Sequence, residues 1–207
     1  DEYGMVNSDD IESRVRETPA LGSVGYANNE IGTVQPVAAI ARAVHAKNPE
    51  TRVHADAAQA GMFLEMDVQN LGVDLMTLSA HKMYGPKGIG ALYMKDGVKL
   101  EPVIYGGGQE YGLRSGTENV PLAAGFAKAV EIAAQWKGDA KNIGDMKSLR
   151  DFAFAEIRNI APGAKLNGHP ERRLPNNLNV FIPGVDGETF LIALSEEGIC
   201  VSSGSAC

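Results

Sequence analysis

The chain has 207 residues, 44% of them hydrophobic and 22% charged, with a formal net charge of -7. That is enough chain for a sizeable core in one or two domains, and the composition is that of an ordinary globular protein. The acidic balance disfavours nucleic acid or an anionic membrane as a main partner, no run approaches the roughly 18 apolar residues of a membrane span, and no basic, apolar leader opens the chain. Two cysteines, Cys200 and Cys207, are too few for a disulfide scaffold and point to a reducing, cytosolic setting. The sequence opens on Asp1 and stops at Cys207, directly after Ser-Ser-Gly-Ser-Ala. It reads as a portion of a longer chain.

Asp9 and Glu12 have capping-box spacing, and with Ile11 and Val15 they predict a short amphipathic helix ended by Pro19. Residues 20–27 predict a buried strand rich in small residues, running into the polar loop Asn28-Asn29-Glu30-Ile31-Gly32-Thr33. Pro36 opens a helix whose Val37, Ile40, Ala41 and Val44 form the i, i+3, i+4, i+7 stripe. Residues 52–55 predict a second strand, ending in Asp56-Ala57-Ala58-Gln59. Val73, Leu75, Met76 and Leu78 predict a third, which stops at Ser79-Ala80-His81-Lys82. Gly85, Pro86, Gly88 and Gly90 then force a turn before Ile89, Ala91, Leu92 and Tyr93 restart a strand.

Strands alternating with helices predict an α/β layer of mostly parallel strands. In such sheets ligand groups gather at the carboxyl ends of strands, which is where Asn28, Asn29, Asp56, Gln59, Ser79, His81 and Lys82 all fall. A lysine in that place is either a surface residue of a hairpin loop or an amine kept partly out of water and nucleophilic.

Farther on, residues 104–117 form a glycine-rich polar loop containing Arg114-Ser115-Gly116-Thr117. A helix follows with Leu122, Phe126, Val130 and Ala133 on one face. Gly138 and Asp139 break it, and the domain boundary is expected there. Met146, Leu149, Ala153 and Ile157 predict another helix, and Leu178, Val180 and Ile182 a half-exposed strand. Asp186 caps a last helix with Gly198 as its stop. Residues 199–201 then read as a strand with Cys200 as a buried spacer. His45, His54 and His169 are scattered and no metal site is expected. Gly85 to Gly90 runs G-x-x-G-x-G, which is not a dinucleotide fingerprint, and no phosphate-loop motif occurs.

Five ordered motifs, Asn28 to Gly32, His54 to Gln59, Ser79 to Gly90, Arg114 to Thr117 and Ser202 to Cys207, together resemble the cysteine desulfurases of the NifS/IscS type. These belong to the class V aminotransferase family of fold-type I pyridoxal-phosphate enzymes. The resemblance implies an aspartate aminotransferase-like fold. Residues 1–137 would be part of the cofactor-binding large domain, and residues 138–207 part of a smaller α+β C-terminal domain ending in the catalytic cysteine loop. It further implies that Lys82 forms the Schiff base with the cofactor, Asp56 pairs with the pyridine nitrogen and Gln59 with the ring hydroxyl. Ser79 and His81 would hold the phosphate, with His81 also in the catalytic group, and Thr117 would reach the phosphate of a partner subunit in a homodimer. Asn29 would lie near the substrate carboxylate. Cys207 would take the sulfur of L-cysteine as a persulfide, leaving alanine, for an acceptor such as an iron–sulfur scaffold or for thionucleoside synthesis.

Two readings remain beside this one. A related class V enzyme, a selenocysteine lyase or an aminotransferase, would share Lys82, Asp56 and Gln59 without needing a loop cysteine. A truncated adaptor could bind a scaffold protein and hold no cofactor. The resemblance also implies parts of the family's chain on both sides of this one, a glycine/threonine phosphate turn and a ring-stacking histidine before it and a carboxylate-binding arginine after it.

Overall fold

The computed structural model describes residues 1–15, 17–18 and 20–204. Cys207, the implied sulfur acceptor, and Pro19, the expected helix stop, lie outside the described residues. The chain forms two compact units: Asn7–Tyr26 with Pro36–Gly138, and Asp1–Val6 with Ala27–Gln35 and the chain from Asp139 onward.

The first unit is built on a four-stranded sheet in the order β1 (Leu21–Gly25), β2 (Arg52–Asp56), β3 (Leu75–Ser79), β4 (Gly90–Met94). β1, β2 and β3 run parallel and β4 returns antiparallel to β3, so the layer is the mostly parallel α/β sheet expected. Helix α1 (Ser8–Arg14) packs on α2 (Val37–Lys47), and α2 lies against β2. The residues α2 buries are Val37, Ile40, Ala41 and Val44, the predicted stripe. Between β2 and β3 stands a single helical turn, α3 (Val68–Leu71), capped by Asp67 and absent from the sequence reading.

Three details of this unit differ from expectation. The cap of α1 is Asn7, whose side chain accepts from Asp9 N–H at 3.0 Å; Asn7 holds the extended backbone a cap needs, whereas Asp9 is already helical. β1 is not buried: it has one neighbouring strand, its residues alternate between exposed and half-buried, and Leu21 is 59% exposed. Helix α4 (Val120–Gly138) buries Phe126, Ala129 and Ala133 and turns Val130 outward, because its contact is with the residues after β3, where alanines allow close approach.

In the second unit, α5 (Ala140–Ile160) starts at the Asp139 cap, whose carboxylate accepts from Lys141 N–H. It buries Arg150 rather than Leu149, which is 68% exposed. Arg150 donates to Leu174 O at 3.1 Å and pairs with the exposed carboxylate of Asp151, so its guanidinium is satisfied from both sides. β5 (Lys165–Leu166) and β6 (Val180–Phe181) form a two-residue antiparallel pair, and α6 (Gly187–Glu196) is capped by Asp186 as predicted. Gly198 follows α6 in the left-handed conformation, φ 78. Among the described residues, 199–201 form no strand and Cys200 is exposed, so it is not the buried spacer the sequence suggests.

Among the described residues of the first unit, Asp74, just before β3, is a buried carboxylate, 1% exposed. Its Oδ2 accepts from Val53 N–H at 2.9 Å and lies 3.0 Å from His45 Nε2, while Lys95 and Arg52 approach Oδ1 at 3.5 and 3.8 Å. Burial alone would push the carboxyl upward; the Val53 N–H, His45 and Lys95 outweigh it and hold Asp74 below its ordinary value of 3.8. A depressed carboxylate contributes stability that is present above the unfolded value and lost as pH falls through the native one. Asp74→Ala, which also strands the Val53 N–H, is expected to cost about 2 kcal/mol in urea unfolding. Asp74→Asn should flatten the loss of stability on acidification below pH 3.8.

Candidate functional site

β2 and β3 are parallel neighbours with Asp56 opposite Thr77. Their carboxyl ends therefore leave the sheet side by side, about 4.8 Å apart, and side chains beyond those ends share one rim. Asp56 is the last residue of β2. Its Oδ1 accepts from Ala58 N–H at 3.0 Å and from the Thr77 hydroxyl at 3.3 Å, and its carbonyl accepts from Tyr26 N–H at 2.8 Å. Backbone and side chain are thus both tied, with the carboxylate exposed. Gln59 follows, half-buried, in the turn that leaves β2.

Ser79 ends β3, and the next four residues, Ala80–Met83, wind into one 3-10 turn. At three residues per turn, positions i and i+3 eclipse. Ala80 and Met83 are accordingly buried together, 0% and 5% exposed, in a cluster with Met62, Phe126 and Ala133, against which Leu78, Ile89 and Trp136 pack. His81 and Lys82, between the two anchors, are directed away from that cluster; His81 is exposed and Lys82 half-buried. The Ser79 hydroxyl and His81 Nδ1 are hydrogen-bonded at 2.9 Å, which fixes the imidazole beside the strand end.

The turn closes where Gly85 N–H donates to Ala80 O at 2.9 Å. A Cβ on Gly85 would stand 2.9 Å from that same oxygen and 3.0 Å from Ala129 Cβ, so only glycine lets the turn approach α4 this closely.

Of the residues singled out from sequence, Asp56, Gln59, Ser79, His81 and Lys82 share the β2–β3 rim. Thr117 lies in an exposed segment just ahead of α4. Nearby, Arg114 holds the loop by donating to Gly116 O at 2.8 Å and pairing with Glu110 at 3.2 Å. Asn29 belongs to the second unit, in an exposed turn where Asn28 Oδ1 accepts from the N–H groups of Glu30 and Ile31 at 2.8 and 2.9 Å. Cys207 lies outside the described residues. Sequence reading passed over Thr77, which steadies Asp56; the available signal was a hydroxyl inside an otherwise apolar run.

The family model for aminotransferase class-V matches residues 1–207. The chain is 46% identical to "Cysteine desulfurase IscS 1" of Archaeoglobus fulgidus over all of its own length and 53% of that protein. Among solved structures it is similar to a NifS-like protein at 43% identity and TM-score 0.90, covering 97% of this chain and 54% of that one. A NifS-like protein from Rickettsia africae gives 32% identity and TM-score 0.90, covering 99% and 56%. The chain spans about half the length of the curated relatives it matches.

Met83→Ala should remove one of the two anchors of the turn and leave a cavity beside Phe126. The expected cost is about 2–3 kcal/mol in chemical unfolding. An unchanged midpoint would mean that Met83 does not hold the turn down.

Proposed function

The chain belongs to the aminotransferase class-V family, and we propose that it works as a pyridoxal-phosphate-dependent cysteine desulfurase. In this reading L-cysteine becomes L-alanine and its sulfur passes to Cys207. The observation that carries it is the adjacency of two strand ends, one finishing in the tethered Asp56 carboxylate and the other leading into Lys82. The relatives that support it are the IscS and NifS-like proteins above.

The donor chemistry of the rim fits this cofactor. Asp56 would meet the pyridine nitrogen as an anion, Gln59 would hydrogen-bond the ring hydroxyl, and Ser79 with His81 would hold the phosphate. Thr117 would reach the phosphate held by the partner subunit of a homodimer. When bound, pyridoxal phosphate supplies the electron sink that makes a substrate α-proton and then a carbon–sulfur bond labile.

The chain's own residues do the rest. Lys82 would be the residue that holds the cofactor through its aldehyde, and its amine would be the group that carries the substrate α-proton. His81, with Nδ1 hydrogen-bonded to the Ser79 hydroxyl, would exchange a proton through its other ring nitrogen, Nε2. Asn29 positions the substrate carboxylate. Cys207, as thiolate, attacks the substrate sulfur. The carbon–sulfur bond breaks, a sulfur–sulfur bond forms, the carbon keeps the electron pair and takes a proton, and alanine leaves. The persulfide on Cys207 is then available to an acceptor such as an iron–sulfur scaffold, or for thionucleoside synthesis, in a cytoplasmic setting. Residues 1–137 would form part of the large cofactor domain and 138–207 part of the smaller one.

In the full-length, cofactor-loaded protein, Cys207→Ala should keep the yellow absorbance and lose sulfur release from L-cysteine by about a hundredfold or more. Undiminished release would reject the persulfide step. It would favour a class V relative that needs no loop cysteine. Asp56→Asn should lower turnover by about a hundredfold; wild-type cofactor binding and turnover would make Asp56 a solvated turn residue.

A further inference from the structure

The turn that carries Asn29 is held from residues 167–179, within the same unit, by two side-chain amides converging on one oxygen. Asn177 Nδ2 donates to Glu30 O at 2.8 Å and Asn179 Nδ2 donates to the same oxygen at 3.1 Å. Each amide is oriented from behind. Asn177 Oδ1 accepts from the Arg173 guanidinium at 2.8 Å, and Asn179 Oδ1 accepts from Asn167 Nδ2 at 2.7 Å. Because the oxygen of each amide faces a donor, its nitrogen must face Glu30; neither amide can flip without setting two donors or two acceptors together.

Arg173 is itself fixed. It is 6% exposed and donates also to Asn177 O and Asn167 O, at 3.1 and 2.9 Å. Burial first, and the neighbouring Arg150 second, lower its pKa to about 10, so it remains a charged donor at neutral pH. The approach of the two segments is close enough to dictate a residue: Gly32 has φ 76, and a Cβ there would come within 2.5 Å of Asn177 Oδ1. Leu174 N–H donates to Gly32 O at 2.9 Å, closing the far side of the same turn.

From this arrangement we propose that Asn177 and Asn179, oriented by Arg173 and Asn167, are positioning residues that set the Asn28–Gly32 turn and with it the aim of Asn29. The substrate role of Asn29 rests on the function proposed above; the clamp on the turn does not. The clamp works through one backbone oxygen, so it fixes the turn without touching substrate.

The test uses Asn177→Asp and Asn179→Asp in the full-length, cofactor-loaded protein. Each replaces the amide donor by a carboxylate oxygen that repels Glu30 O and changes almost no volume. Hydrogen–deuterium exchange should rise in the peptide spanning residues 28–34 in both variants, with exchange in the peptides covering residues 52–56 and 75–79 kept at the wild-type level. The KM for L-cysteine should rise about tenfold with kcat little changed, and neither variant should add to the effect of Asn29→Ala. Exchange and KM both at wild-type level would overturn the proposal, as would effects fully additive with Asn29→Ala. Raised exchange and raised KM beside a silent Asn29→Ala would support the clamp and instead reject Asn29 as the substrate contact.

Discussion

The candidate site depends on two apolar side chains three residues apart. Ala80 and Met83 are buried on one side of a 3-10 turn, in a cluster with Phe126 and Ala133. An α-helical turn would spread the four residues over 100° steps, but three residues per turn stacks the first and fourth and leaves the middle pair facing elsewhere. Burying a large side chain such as Met83 is worth about 1.5–3 kcal/mol, enough to decide which way so short a segment rolls. The position of the one amine at the end of β3 is therefore set by groups that take no part in chemistry. Gly85 contributes by subtraction, leaving room for the turn to lie against α4.

The two units hold their functional turns by opposite means. In the first, an apolar cluster presses a short turn into place from one side. In the second, the Asn29 turn is caught by two hydrogen bonds to one backbone oxygen, Glu30 O, through amides whose orientation is enforced by Arg173 and Asn167. Apolar packing tolerates a methyl more or less at moderate cost. A chain of oriented amides does not tolerate the exchange of a donor for an acceptor. Isosteric substitution is accordingly mild in one place and costly in the other.

Much of this could be read from residue order. The α2 stripe was legible because all four of its apolar residues meet other elements of the same unit. The rim was legible because Asp56 and Ser79 each stand at the end of a predicted strand, and parallel strands bring such endings together. What could not be read depended on neighbours distant in sequence. Alanine-rich α4 offers more than one apolar stripe, and only contact with residues 80–83 selects Ala129 over Val130. Arg150 is buried because Leu174 offers a carbonyl, which no periodicity signals. Cys200 sits between Ile199 and Val201, a strand-like triplet, yet it is exposed. Thr77 and Asn177 look like incidental polar residues until the groups they hold, Asp56 and Glu30, are seen opposite them.

The most direct measurement of the central claim is a chemical one. Borohydride reduction of the full-length protein loaded with pyridoxal phosphate, followed by proteolysis and mass spectrometry, reports which amine the cofactor has bonded. The account predicts that the added mass is on Lys82. Finding it on Lys87 or another lysine, or finding no covalent adduct, would contradict it.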